Sequence, residues 1–432
     1  MISLIFFVLA LVIVGVSCKN LDRGFILFLC FRLILNYTIG LSFIPGLPNL
    51  QLEMLMCIYF IFRYYAAYKK YVKFNPLFSA INLLIISVAI SSVFTEADFG
   101  PEIMRSFNNL SKLYVFIIPI WLFACVFKEK DKAFLAWSII ISIIIVISYS
   151  VFCIKIGINP LVLYETSLVG GDFSSSGYMS ETSVRGVRWS SIFLHPIGCG
   201  VNCVYLFGLL LFVQYFVNIR KLVKTFFLIT LSLGLLFVIL QTKSRTPMVG
   251  FFILVLPLLL QVKNISVVLS FLFIAIIGIG FLDDTSLALI HSLSSNNSED
   301  VGGSDAQMRM DQLSGTIHFL LNHPILGYGP MGVDIVMRDP HFELFGLESI
   351  WFVTALSYGT VGIFALLYLY LRLFSIRIKK HKLDYLAVVV AFVFMNSIST
   401  APDQKEYLLY LLVFLYMRES KQLLPKKYNC HE

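Results

Sequence analysis

Two stretches of the chain place basic side chains where long apolar runs end. Gln241-Thr-Lys-Ser-Arg-Thr-Pro247 is a turn between two apolar runs with no room for a domain, so Lys243 and Arg245 sit at headgroup level. An ionisable group held at membrane depth is a functional candidate; the structural alternative is a snorkelling pair that anchors a helix end. Arg188 opens Arg188-Trp-Ser-Ser-Ile-Phe-Leu-His-Pro196, and Arg185 stands three residues earlier, on the same face if that stretch is helical. The plain alternative for these two is ordinary ion pairing in a loop. Guanidinium groups grip phosphate oxygens in bidentate fashion and keep their charge when partly desolvated. Two such groups from separate connections suit a pyrophosphate fixed to a lipid tail.

The second half adds titratable groups. Glu348 is a carboxylate at the start of an apolar run. It either complements a helix N-terminus or acts as a general base at the membrane surface. His341 is the competing base. Gly327, Gly329 and Pro330 form a tight turn; no strand precedes them, so this is not a dinucleotide loop. Glu96, Asp98 and Glu102 read as a solvated face or as the acidic pair of a metal-dependent transferase. No DxD stands there, and the chain has no HExxH, GxSxG or P-loop. Neither a metal nor a cofactor is expected.

The elements that must hold these groups are membrane helices. The 432 residues are 58% hydrophobic and 13% charged, with a mean hydropathy of +0.85, against about 25% charged in soluble domains. Apolar runs near the roughly 20 residues a spanning helix needs lie at 2–17, 25–44, 50–67, 76–94, 113–127, 133–154, 191–216, 225–241, 247–261, 265–281, 349–371, 384–400 and 406–417. A spanning segment must satisfy its own backbone, so the expected fold is all-α and polytopic, one transmembrane domain over 1–432 with about 12–13 helices. Lys and Arg accumulate in alternate connections, and that face is taken as cytoplasmic. Nineteen of the 25 acids fall on the other side. The formal net charge of +8 therefore reflects topology, and no nucleic-acid partner is expected.

Two external connections are long, 157–190 and 282–348. Within the second, Met310, Leu313, Ile317, Leu320 and Leu321 recur at helical spacing, predicting an amphipathic helix near 308–323 on the outer membrane surface. The eight cysteines read as small buried hydrophobes. Residues 1–16 lack a basic leader and a cleavage site, and read as a retained helix. No internal repeat is visible.

Taken in order, these stretches resemble the O-antigen polymerase and O-antigen ligase superfamily of bacterial inner-membrane proteins. Arg188…His195-Pro196-Ile-Gly198 is similar to the family's Arg-x-x-Gly…Asn-Pro-x-x-Gly, with Ser190 where a Gly is usual. Thr242-Lys-Ser-Arg-Thr246 is similar to its Thr-x-Ser-Arg. Arg309…His323-Pro-Ile-Leu-Gly-Tyr-Gly329 and Glu348…Tyr358-Gly-Thr-Val-Gly362 complete the set across residues 185–362. The ligase branch carries His-Asn some eleven residues before the Gly-x-x-Gly. Here that register holds Glu348-Ser349, while His341 is followed by Phe and lies seven residues early, which favours polymerase.

The resemblance implies an inverting, metal-independent glycosyl transfer on the periplasmic face, with both long loops periplasmic. The donor would be a growing chain on undecaprenyl pyrophosphate, and the acceptor a lipid-linked repeat unit. Arg188 and Arg245, with Arg309, Lys243 and Arg185 as further candidates, would neutralise the pyrophosphate, and Glu348 would take the proton. The bilayer is the other partner, and a chain-length regulator protein is the partner class such a polymerase would have. Ligation to lipid A core, or flipping of a lipid-linked oligosaccharide, are the competing readings. A flippase would carry a pseudo-repeat and basic residues along a mid-membrane cavity, whereas only Arg32 and Arg63 lie well inside spans.

Overall fold

The computed structural model describes residues 2–35, 40–41, 50–69, 76–94, 106, 109–110, 113–169, 187–261, 306–330, 332–337, 347–400 and 404–423. The helices are α1 (Ile2–Lys19), α2 (Leu21–Phe31), α3 (Leu52–Tyr68), α4 (Pro76–Val93), α5 (Ile118–Val126), α6 (Lys132–Ile156), α7 (Pro160–Val169) and α8 (Pro196–Val213). They continue as α9 (Lys221–Gln241), α10 (Arg245–Gln261), α11 (Ala306–Asn322), α12 (Gly332–Met337), α13 (Ile350–Ser375), α14 (Lys382–Ile398) and α15 (Tyr407–Glu419). A two-residue antiparallel pairing, Gly40 with Gln51 and Leu41 with Leu50, is the strand structure among the described residues.

This is an all-α polytopic membrane protein. Among the described residues, four helical stretches are long and apolar enough to cross a bilayer: 129–156, 196–216, 221–241 and 350–375. The shorter apolar helices Leu4–Lys19, Leu77–Val93 and Arg245–Leu260 accompany them. The expected run at 265–281 lies outside the described residues, and residues 160–169 of the first long connection form a helix instead of a plain loop.

Helix ends follow from local chemistry. Asn20 caps α2 by accepting from Arg23 N at 3.2 Å, and Ser349 caps α13 by accepting from Trp351 N at 3.3 Å, as short polar side chains do. Gly157, at φ 73°, closes α6 in the left-handed region. His195 accepts from Ile197 N and precedes Pro196 at the first position of α8.

α8 is the central helix, buried along almost its whole length. Gly200 lets it meet Pro247 of α10 so closely that an added Cβ would stand 2.6 Å from Pro247 Cγ. Near Gly208 stand Leu254 of α10, Val388 of α14 and Leu412 of α15, so α8 and α10 run parallel. Gly250 of α10 touches Met395 of α14 while Leu254 lies level with Val388, so α14 runs antiparallel to both.

Charged pairs tie the bundle together at two levels. Arg32, one of the two basic residues expected inside spans, is buried against Glu53 and lies over the Tyr407 ring at 4.0 Å from its centroid. Lys405 Nζ donates to Leu35 O at 2.9 Å. A buried charge is tolerable only when paired in this way. At the opposite end, Arg23 meets Asp131 at 2.9 Å and Lys132 bridges Glu129 and Glu419 at 2.7 and 2.6 Å.

Candidate functional site

Arg188 and the turn between α9 and α10 form one unit. Trp189 N donates to Gln241 O at 3.0 Å. The Arg188 guanidinium donates from Nε to Thr242 O at 3.0 Å and from Nη2 to Ser244 Oγ at 2.7 Å. Arg188, Thr242, Lys243 and Ser244 are all buried. The turn itself is tight: Lys243 adopts φ 50°, uncommon for a side chain with a Cβ, and its N–H donates to Leu240 O at 3.0 Å. Arg188 thus crosslinks this turn through two of its donors.

Arg245 differs. It opens α10, half-buried, and its Nε and Nη2 are buried without a hydrogen-bond partner among the described residues. Buried donors are nearly always satisfied, and the first N–H groups of a helix attract negative charge. An unpaired guanidinium fork at such an end is shaped to take an anion through parallel N–H···O bonds.

The neighbouring backbone is firmly held. Asn159 Nδ2 donates to Ser190 Oγ at 3.1 Å and Ser191 O at 2.8 Å, and Ser191 Oγ donates to Val146 O at 2.7 Å. Ser190, the departure from the family pattern, therefore uses its hydroxyl to fix residues 188–191, which are not helical. Burial, then the positive charge of Arg188, lowers the His195 pKa to about 4. His195 stays neutral near pH 7, with Nδ1 free to accept the cap bond.

The second group lies on α11 and the entry to α13. Arg309 Nη2 pairs with Glu348 Oε2, and its Nη1 donates to Gln312 Oε1 at 3.3 Å. Both side chains of the ion pair remain partly open, 25% and 34% exposed. Glu348 precedes the Ser349 cap, one residue before the helix, and its backbone O accepts from Thr400 N. α11 turns its polar stripe, Arg309, Gln312 and Thr316, toward α13, with Gln312 and Thr316 buried. Its apolar stripe, Met310, Leu313, Ile317 and Leu321, faces out of the bundle.

The two groups occupy the same end of the bundle. Arg245 lies five residues before Gly250 and Thr400 five after Met395. Arg245 sits about 7.5 Å beyond that contact, and with the helices antiparallel Thr400, two residues past the end of α14, lies beyond it on the same side. Thr400 in turn holds the Glu348 carbonyl. Arg185 and His341 lie outside the described residues, as do Glu96, Asp98 and Glu102. The glycine motifs also meet each other: Tyr328 N donates to Leu356 O at 2.8 Å.

Sequence reading did not single out Gln312, Thr316, Ser91 or Asn109, whose Nδ2 reaches Tyr358 OH at 2.9 Å. The signal for Gln312 and Thr316 was present in their spacing of three and seven residues beyond Arg309, a second stripe on the amphipathic helix.

Fold and site together define a polytopic membrane protein with a cationic, carboxylate-bearing site at one end of its bundle. Residues 226–367 match the family model described as O-antigen ligase, a segment that contains Arg245, Arg309 and Glu348. The match supports the O-antigen polymerase and ligase superfamily, whose members assemble surface polysaccharide as glycosyltransferase-like membrane enzymes. No curated protein matches the chain.

Proposed function

We propose that the protein polymerises lipid-linked oligosaccharide repeat units at the periplasmic face of the inner membrane. The growing chain is transferred from undecaprenyl pyrophosphate to a hydroxyl of the next lipid-linked unit. The hydroxyl oxygen attacks the anomeric carbon from the face opposite the phosphate, with inversion. The C–O bond to pyrophosphate breaks, its electron pair leaves with the phosphate oxygen, and the hydroxyl proton passes to the Glu348 carboxylate.

Arg245 carries the reading. Its two buried, unpartnered donors suit an oxyanion whose charge grows as the bond breaks, and preset donors of this kind commonly supply the largest catalytic effect. Arg188 braces the turn that presents Arg245, and Lys243 adds positive charge beside it. Arg309 pairs with the Glu348 carboxylate and is the third cation proposed for the leaving group.

Ligation of finished polymer to lipid A core is the second reading, favoured by the description of the matching family. Surface polysaccharide from a deletion strain, resolved on a gel, separates the two. Lipid A capped by single units supports polymerase. Loss of all attached units with lipid-linked polymer retained overturns it in favour of ligase.

A further inference from the structure

α13 is broken in its middle. Gly359 has φ 63° and ψ −159°, a region essentially confined to glycine. An unbroken helix would pair Thr360 N with Leu356 O and Val361 N with Ser357 O. The break leaves those four groups without helical partners, inside a membrane bundle where unmet backbone groups are costly.

Each finds a partner outside α13. Thr360 N donates to Pro324 O at 2.9 Å and Val361 N to Ile325 O at 3.3 Å, while Leu356 O accepts from Tyr328 N at 2.8 Å. Ser91 of α4 lies with Oγ 2.7 Å from Ser357 O and 2.6 Å from Leu326 O. The loop can approach because Gly327, at φ 67°, lies against the Leu356 carbonyl and the Gly359 amide, where neither glycine has room for a Cβ. Phe319, Leu347 and Leu356 pack as a small separate core over the same junction, with Tyr328 and Phe352 against it.

α11 is therefore fastened to α13 at two points. One is this backbone joint, and the other, thirteen residues back from the end of α11, is the Arg309–Glu348 ion pair. We infer that the joint between residues 324–328 and the break at Gly359, pinned by Ser91, is a positioning device that sets Arg309 against Glu348. Ser91, Gly327 and Gly359 are its positioning residues. The inference rests on the reading of Glu348 as the general base. Misplacement of a reacting group by about 1 Å can cost 100-fold in rate, so a loosened joint should lower turnover while leaving donor binding, centred on Arg245, in place. Gly359→Ala should be the stronger lesion: its methyl group favours a continuous helix, which takes back Leu356 O and Ser357 O and expels the loop.

The test uses the full chain in liposomes with purified lipid-linked repeat units, and Ser91→Ala, Ser91→Thr, Gly359→Ala and Glu348→Gln side by side. Ser91→Ala should lower kcat about tenfold with KM within about twofold of wild type. Ser91→Thr, which keeps the hydroxyl, should recover most of it. Hydrogen exchange should rise together in segments 324–329 and 356–361 of Ser91→Ala, with α8 unchanged as the check on folding. Full kcat in Ser91→Ala and Gly359→Ala while Glu348→Gln is inactive would overturn the positioning role and leave the proposed base intact. So would a raised KM with unchanged kcat. Full activity of Glu348→Gln would instead remove the base, and the positioning claim with it.

Discussion

The Arg188–Arg245 region and the Arg309–Glu348 region present similar charges but hold them in opposite ways. In the first, backbone and buried side chains fix everything: Arg188 is tied to Thr242 and Ser244, and the turn is closed by its own hydrogen bonds. Among the described residues, the Arg245 fork is left without a partner. In the second, two partly open side chains from helices far apart in sequence meet each other, and their registry depends on a loop docked into a broken helix. A rigid cation suits a leaving group that always arrives at the same place. A carboxylate paired with a partly exposed arginine suits a base that must be released to accept a proton.

The sharpest break of this contrast is Arg245→Ala against Arg188→Ala. Arg245→Ala should lower polymerisation by about 10²–10³ with an unchanged melting temperature in detergent. Arg188→Ala should lose activity and also stability, by about 1.5–3 kcal/mol for a lost charge-assisted bond, because it uncouples the turn. Equal activity losses with no stability difference would erase the distinction between clamp and grip. Arg245→Lys should recover only part of the rate, since an ammonium lacks the planar fork.

A smaller effect belongs to the ion pair. Arg309→Gln should slow turnover about tenfold, below the about 10²–10³ for losing a dedicated oxyanion donor, and add little to Glu348→Gln. Fully additive losses in the double variant would mean that the two act apart.

A further prediction concerns pH and reads stability, not turnover. His195 is held well below its ordinary value of 6.5, to about 4, by burial and then by Arg188. As pH falls below 6.5 the unfolded chain takes up a proton that the folded chain refuses, so stability declines until about pH 4 and then levels. His195→Asn, which keeps a capping side chain, should flatten that decline in thermal melts between pH 7 and 4. An unchanged slope would place the pH dependence elsewhere.

Much of the helical layout was legible because apolar runs of spanning length have few structural solutions. The cationic turn was legible because two apolar runs left it no room to be anything else. Other features were not. The function of Gly359 as a break was hidden, since a glycine inside a span reads equally as a small packing residue. The Arg309–Glu348 pair joins residues 39 apart in sequence, and no local periodicity encodes it. Arg188 reads from sequence as a phosphate-gripping cation or a loop ion pair; only the fold shows that two of its donors hold a turn. The amphipathic helix was visible, but its polar stripe packs toward α13 and its apolar stripe faces out, a direction that depends on what surrounds it.

The most direct measurement is polymerisation by the purified protein in liposomes supplied only with undecaprenyl-pyrophosphate-linked repeat units. Wild type should build a ladder of chains without nucleotide sugar, whereas Glu348→Gln should bind the lipid-linked donor with near-normal affinity and produce no chain beyond one unit. Long chains from Glu348→Gln, or a wild type that leaves single units unjoined, would contradict the account.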